Sequence, residues 1–321
     1  MLDALSRTLF LTLSHSSVLK KAASRYGMRG ARGFARRFIG GETIDEAIGV
    51  VHELGQHGFT HTLNHLGEHI ASPTVARGAT DTYLAIIERM AAAGLPCKIS
   101  VKLSQIGLEL DRSLCTENLR RILVGTQRHG GFVRIDMEGS ARVDDTLEVF
   151  ETVWQERLRN VGVVLQAYLY RTEEDLRRVT AVGARVRLCK GAYSEPSDVA
   201  YRDKADVDAA FVRLMKMLLT DGHYPAFATH DPRMIAAVCR FARERDVRPD
   251  AYEFQMLYGV RRDLQASLRT RGYLVRIYLP FGLEWFPYFM RRLAERPANV
   301  AFVVRGLLYE RLGDRRGFGD D

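Results

Sequence analysis

The sequence predicts an α/β chain folded as a closed (β/α)8 barrel of the TIM type, and three observations predict it. Eight short β-like runs recur along the chain, longer helical patterns separate them, and no linker, low-complexity tract or composition shift divides the 321 residues. Repeated strand-then-helix order makes parallel strands with right-handed crossovers, and eight such units close a barrel. The length lies within the usual range of one such domain.

The runs are His57 to Leu63, Lys98 to Ser104, Gly131 to Asp136, Gly162 to Ala167, Arg185 to Lys190, Pro225 to Thr229, Tyr252 to Leu257 and Tyr273 to Leu279. Between them, Thr43-x-x-Glu46 reads as a capping box opening the first helix, Ser72-Pro73 precedes the second, and Thr172-x-x-Asp175 opens a later one. After the eighth run, Pro280 and Gly282 break the chain and a last helix follows, with Pro287 near its first turn and Pro297 ending it. The barrel is expected over 43–305, preceded by a basic helical segment (1–42) and followed by a charged tail (306–321).

That last helix carries Tyr288, Arg291, Arg292, Glu295 and Arg296. Residues three and four apart share a helix face, so Tyr288 meets both Arg291 and Arg292, and Glu295 follows them at ion-pairing distance. Two adjacent guanidinium forks suit a carboxylate or a phosphate. Taken alone, the pair reads first as a solvated basic face with surface ion pairs, and its neighbours must overturn that.

Charge and composition narrow the classes. Lys+Arg exceed Asp+Glu by 47 − 39 = +8, which suits nucleic acid, an anionic membrane surface or an acidic substrate without choosing among them. Cys97, Cys115, Cys189 and Cys239 are scattered, as reduced thiols are. No apolar run of about eighteen residues occurs, so no spanning helix is expected. From Leu5 to Gly41 there is no acid but eight Lys or Arg, a composition shared by transit peptides and basic amphipathic extensions.

Several motifs fail. Gly27-x-x-Gly30-x-x-Gly33 has the wrong spacing for a dinucleotide turn. His57, His61, His65 and His69 share a face only in a helix, and Gly58, Thr60 and Thr62 favour a strand there, so no metal site is expected. Aromatics are not interleaved with the basic residues, so no nucleic-acid surface is expected either.

Barrel enzymes build their sites from the C-terminal ends of the strands. Polar residues fall there in succession: Lys102, Asp136, Gln166, Arg187 with Lys190, Thr229 with His230, Gln255 and Tyr278. Buried charges cost several kcal/mol unless paired, so their convergence on one pocket is the economical explanation. A lysine at such an end, Lys102 or Lys190, also suits Schiff-base chemistry. The basic N-terminal stretch equally suits a non-catalytic protein held at an anionic membrane.

Eight motifs, in order, resemble the proline dehydrogenase family. They are Ser100-Val-Lys102-Leu, Arg134-Ile-Asp136-Met137-Glu, Leu165-Gln166-Ala-Tyr, Arg187-Leu-Cys-Lys190-Gly191-Ala192-Tyr193, Phe227-Ala-Thr229-His230, Glu253-Phe-Gln255-Met-Leu257-Tyr-Gly, Arg276-Ile-Tyr278 and Tyr288-x-x-Arg291-Arg292-x-x-Glu295-Arg296. The resemblance covers nearly the whole chain and favours leading helices over a presequence at the N-terminus.

It implies FAD over the strand ends and oxidation of L-proline to Δ1-pyrroline-5-carboxylate by hydride transfer from C5 to flavin N5. Electrons then pass to a membrane quinone, which places the protein in the cytoplasm at the inner face of the membrane. A separate Δ1-pyrroline-5-carboxylate dehydrogenase would perform the next step. By the same resemblance Arg291, Arg292 and Lys102 hold the substrate carboxylate, Asp136 orients Lys102, and Glu295 preorganises the arginines. Tyr278, Tyr288 and Leu257 enclose the ring, Tyr278 favouring proline because hydroxyproline-oxidising relatives carry a smaller residue. Arg187 lies near N5, and Met137, Gln166, Lys190, Gly191, Ala192, Thr229 and His230 hold the rest of the cofactor.

Overall fold

The computed structural model describes residues 34–67 and 70–295, with only the main chain at 34, 291 and 293–295. The expected N-terminal helical segment before residue 34, the barrel's last residues 296–305 and the tail 306–321 therefore lie outside the described residues.

The elements alternate without exception: α1 (Ile44–Gln56), β1 (Thr60–His65), α2 (Pro73–Ala92), β2 (Lys98–Lys102), α3 (Arg112–Arg128), β3 (Phe132–Asp136), α4 (Val143–Gln155), β4 (Val161–Gln166), α5 (Thr172–Ala181), β5 (Arg185–Cys189), α6 (Lys204–Asp221), β6 (Ala226–Ala228), α7 (Pro232–Glu244), β7 (Glu253–Leu257), α8 (Arg262–Thr270), β8 (Val275–Phe281) and α9 (Trp285–Glu295). The eight strands close in sequence order, and β8 pairs in parallel with β1 from Thr60↔Arg276 through His65↔Phe281. None of the described helices is long and apolar enough to cross a membrane.

Local chemistry sets most boundaries. Both halves of the Thr43/Glu46 capping box form, and the Ser72 hydroxyl accepts from the Val75 N–H at the start of α2. The third expected start differs. Arg171, not Thr172, caps α5; the Thr172 hydroxyl donates instead to the Gln166 carbonyl at 2.5 Å, and Asp175 accepts from Arg171 Nε at 2.8 Å. A short connection after β4 leaves Thr172 close enough to bond the strand end, and that tertiary bond wins over the local box.

Two strand registers also move. α1 runs through Gln56 and turns at His57, so β1 begins at Thr60 rather than His57. Pro280 does not break the chain: it lies within β8 opposite Asn64, and its carbonyl accepts from the Gly40 N–H at 2.8 Å. A proline costs the ladder a donor but keeps its acceptor, and here the segment before α1 uses that acceptor.

A second small core fixes α9. Phe38, Ile39, Leu66, Trp285, Phe286 and Phe289 bury one another, and Trp285 Nε1 donates to Glu42 Oε1 at 3.0 Å. Residues 35–42 thus pack the last helix beside the ends of β1 and β8.

Inside β1, His61 is 6% exposed and its Nε2 donates to the Pro96 carbonyl at 3.1 Å. Burial, then the charge of Arg276, lowers its pKa to about 4. Because the unfolded histidine titrates near 6.5, the unfolded chain binds more protons between those values, and stability falls as pH drops through that window. Urea midpoints should show this residue contributing about 2–3 kcal/mol of the loss between about pH 7.5 and about pH 4.5, absent in His61→Gln. An equal loss in both proteins would remove His61 as the cause.

Candidate active site

Register brings the strand-end residues to common levels. Lys102 stands opposite Asp136 across β2 and β3, and Tyr278 lies between Thr62 of β1 and Leu257 of β7. Successive strand residues face opposite sides of a sheet, so Ser100, two before Lys102, shares its face.

At the centre is a buried cluster. Asp136 Oδ1 accepts from Arg187 Nη1 at 2.6 Å, and Oδ2 accepts from the Tyr278 hydroxyl at 2.7 Å. Arg187 Nη2 donates to Ser100 Oγ at 3.0 Å, and its guanidinium lies 5.4 Å from the centre of the Tyr278 ring. Asp136 is therefore held by Arg187 and Tyr278, not devoted to Lys102 as expected: β5 and β8 bring a buried guanidinium and a phenol to its two oxygens. Burial, then the carboxylate of Asp136, raises the Tyr278 phenol well above its ordinary value, so it stays protonated and donates. Tyr288 of α9 is close enough to push the same way, which sets the last helix over this cluster.

Arg292 is half-buried, with its guanidinium 5.1 Å from the centre of the Tyr288 ring. A cation over an aromatic face is favourable by ~1 kcal/mol and fixes the fork. The side chains of Arg291 and Glu295, and hence their expected ion pair, lie outside the described residues. Leu257 is partly exposed at the end of β7.

On the opposite side of the mouth, Gln166 Nε2 donates to the Glu138 carbonyl at 2.8 Å, which fixes the amide and leaves its oxygen as an acceptor. His230 Nε2 accepts from the Leu257 N–H at 3.0 Å, so Nδ1 carries the ring proton. Thr229 accepts from the Asp231 N–H at 3.1 Å. Gly191 adopts φ +120°, a region that favours glycine, and an added Cβ would lie 2.4 Å from Tyr168 Cδ1. The bare main chain of Gly191 therefore packs on the Tyr168 ring, with exposed Ala192 following.

Lys190 is committed to structure: its ammonium pairs with Asp208 and with Asp231 at 2.8 Å. Burial alone would raise the Asp231 carboxyl, but the Lys190 pair and the Arg233 N–H outweigh it and hold it well below the usual carboxylate range. Two carboxylates are the opposite of the desolvated setting that frees a lysine amine for Schiff-base chemistry. Met137 is buried in the main apolar core. Gln255 also departs from expectation: it is 4% exposed and lines the lower lumen of the barrel rather than its mouth, because it sits in the middle of β7 beside Glu253.

Three supporting residues carry little signal in the sequence. Ser100 was recoverable from its period-two relation to Lys102. Glu138 accepts from the Ser104 N–H at 3.0 Å, and Glu195 ties the loop after β5 to Ser140 and to the Tyr168 hydroxyl; loop carboxylates joining distant segments leave no periodic signal.

Known proteins resemble this chain in sequence and fold. The sequence pattern described as proline dehydrogenase matches residues 47–305. The chain is 41% identical over 303 residues to proline dehydrogenase 2 of Bacillus subtilis, covering 94% of this chain and 99% of that protein. It is 43% identical over 312 residues to proline dehydrogenase of Deinococcus radiodurans, covering 96% and 99%. The crystal structure of proline utilization A from Bdellovibrio bacteriovorus, inactivated by N-propargylglycine, superposes with a TM-score of 0.77 at 28% identity, over 81% of this chain and 32% of that longer one. The barrel, its strand-end cluster and these near-full-length likenesses agree that the chain belongs to the proline dehydrogenase family, the oxidoreductases of the first step of proline catabolism.

Proposed function

We propose that the protein binds FAD over the strand ends and oxidises L-proline to Δ1-pyrroline-5-carboxylate, and the observation that carries this reading is the buried Asp136–Arg187–Tyr278 cluster. The donor set suits a flavin. Arg187 offers a fixed cation, Gln166 an acceptor oxygen and His230 a ring N–H of defined tautomer, and Gly191, packed on the Tyr168 ring, brings a bare main chain to the loop after β5. FAD, when bound, supplies the acceptor for the hydride leaving C5 of proline and returns the two electrons to a quinone-type acceptor. Ala192, Thr229 and the main chains of Lys190 and Met137 would hold its outer parts.

Arg292, with Arg291, holds the substrate carboxylate, and Lys102 adds a third cation. A bidentate grip fixes C5, which is what hydride transfer demands of positioning. Glu295 steadies the two arginines. Tyr278 and Leu257 wall the ring of the substrate and Tyr288 closes over it, excluding water. Because the Tyr278 hydroxyl and both Asp136 oxygens bind one another and Arg187, Tyr278 presents its ring, and Asp136 is a positioning residue rather than a base. The amine proton of proline is released to solvent, completing loss of two hydrogens to the imine.

The net charge of +8 suits approach to the anionic inner face of the cell membrane, where a quinone would be met. The product passes to a separate Δ1-pyrroline-5-carboxylate dehydrogenase for the second oxidation.

One spectrum tests the core of this reading. Purified protein should be yellow, and its visible absorbance should bleach on anaerobic addition of L-proline, with far less effect from hydroxyproline. Colourless protein that borohydride links covalently to a carbonyl substrate would instead establish a Schiff-base lyase.

A further inference from the structure

Below the catalytic layer, the lumen holds an imbalance of charge centred on Lys98, Arg134 and Arg185, which neither substrate nor cofactor binding uses. Its cavity has about 30 Å³ of interior room, where a single water needs about 10–15 Å³. Five cations line it: Lys98, Arg134, Arg185, Arg187 and Arg276. Arg187 is neutralised by Asp136. Glu253, the one carboxylate among the described lining residues, is saturated: Arg276 grips it through Nε at 2.7 Å and Nη2 at 2.8 Å, and Gln255 and Tyr224 donate to it as well.

Three cations remain, and they converge. Lys98, Arg134 and Arg185 lie 5.9, 5.1 and 5.3 Å from the centre of one phenyl ring, that of Phe132. Among the described residues none of the three forms an ion pair. Arg134 is 5% exposed, and its protein acceptors are two main-chain oxygens, Val163 at 3.0 Å and Arg185 at 2.6 Å, both on Nη1. Gly162 makes the room: a Cβ there would lie 2.7 Å from Arg134 Nη1. Burial, then the neighbouring arginines, presses Arg134 well below its ordinary value.

Two further atoms belong to residues that line the same space. Arg187 Nε and Gln255 Oε1 are buried and, among the described residues, have no hydrogen-bond partner, on residues 5% and 4% exposed. Buried charges and donors are normally satisfied. The donor needs an acceptor, the three cations need negative charge, and the amide oxygen needs a donor such as an accompanying water.

We propose that the lower lumen is a binding site for a small monovalent inorganic anion of the halide class, entering between Lys98 and Arg185 and lodging between Arg134 and Arg187. The anion accepts from Arg187 Nε and from the remaining N–H groups of Arg134, and a water beside it donates to Gln255. It offsets repulsion among cations that the barrel cannot otherwise neutralise, and it stands behind the guanidinium that Asp136 holds at the catalytic layer. The site depends on the lumen alone and holds whether or not the flavin reading does.

Crystals of the purified protein soaked in sodium bromide should show an anomalous peak in the lumen between Arg134 and Arg187. In solution, chloride or bromide should raise Tm by ~2–4 °C over sodium gluconate at equal ionic strength as the site fills. Arg185→Gln, at the rim, should fold and lose that anion-specific increment. Bromide peaks only on the outer surface would overturn the proposal, as would equal Tm in halide and gluconate or an increment unchanged in Arg185→Gln.

Discussion

Arg292→Met should lower kcat/KM for L-proline by about 100- to 1000-fold while the protein keeps its flavin and its melting temperature. The loss follows from geometry: a guanidinium held over the Tyr288 ring is a preorganised fork, and its removal leaves a desolvated substrate carboxylate short of a partner. Truncating one member of such a pair costs about 2–5 kcal/mol, each 1.4 kcal/mol being about tenfold. Most of the change should enter through KM, because a carboxylate held by Arg292 would be gripped before and during hydride loss alike. Flavin content by absorbance separates a binding defect from a folding one. Activity within a factor of about three of wild type would mean that Arg292 does not meet the carboxylate and that the clamp lies elsewhere.

Asp136→Asn should be the more damaging change to the molecule as a whole. It removes the counter-ion of a guanidinium that is 5% exposed and fixed at 2.6 Å. An orphaned buried charge costs about 3–5 kcal/mol, which for a domain of this size lowers Tm by on the order of 10 °C. It also disturbs the Tyr278 hydroxyl, so both activity and flavin retention should fall. Tyr278→Phe makes a useful contrast, since it removes one hydrogen bond at a cost of about 1–2 kcal/mol and leaves the Asp136–Arg187 pair intact. Thermal melts and activity should therefore rank wild type, Tyr278→Phe, Asp136→Asn in falling order. A Tyr278→Phe protein less stable than Asp136→Asn would show that the phenol, not the ion pair, holds the layer together.

The architecture was legible because its signal is local and repeated. Each strand is a short apolar run and each helix an amphipathic pattern with punctuation, as the Thr43/Glu46 box and the Ser72-Pro73 start show. Where a local signal competed with a tertiary contact, the contact prevailed. Thr172 gave up its capping role to bond the Gln166 carbonyl, and Pro280 was drawn into β8 by pairing with β1. Neither outcome is written within a few residues of the position it affects.

The site divides in the same way. That Lys102, Asp136, Gln166, Arg187, Thr229, His230 and Tyr278 gather near one end of a barrel follows from strand order, because parallel strands put their C-terminal ends on one side. Which of them touch does not follow. Asp136 joining Arg187 and Tyr278 rather than serving Lys102, Lys190 spent on Asp208 and Asp231, and Gln255 turned into the lower lumen all depend on strand register and on the depth at which each side chain enters the barrel. The residue types, their order and the barrel were determined by the sequence alone, since periodicity and chain direction act over neighbouring residues. The partners, and the three cations around Phe132 that no described carboxylate pairs with, were decided only in the tertiary structure, where closing β8 onto β1 sets which side chains share a low-dielectric interior and must answer one another's charge.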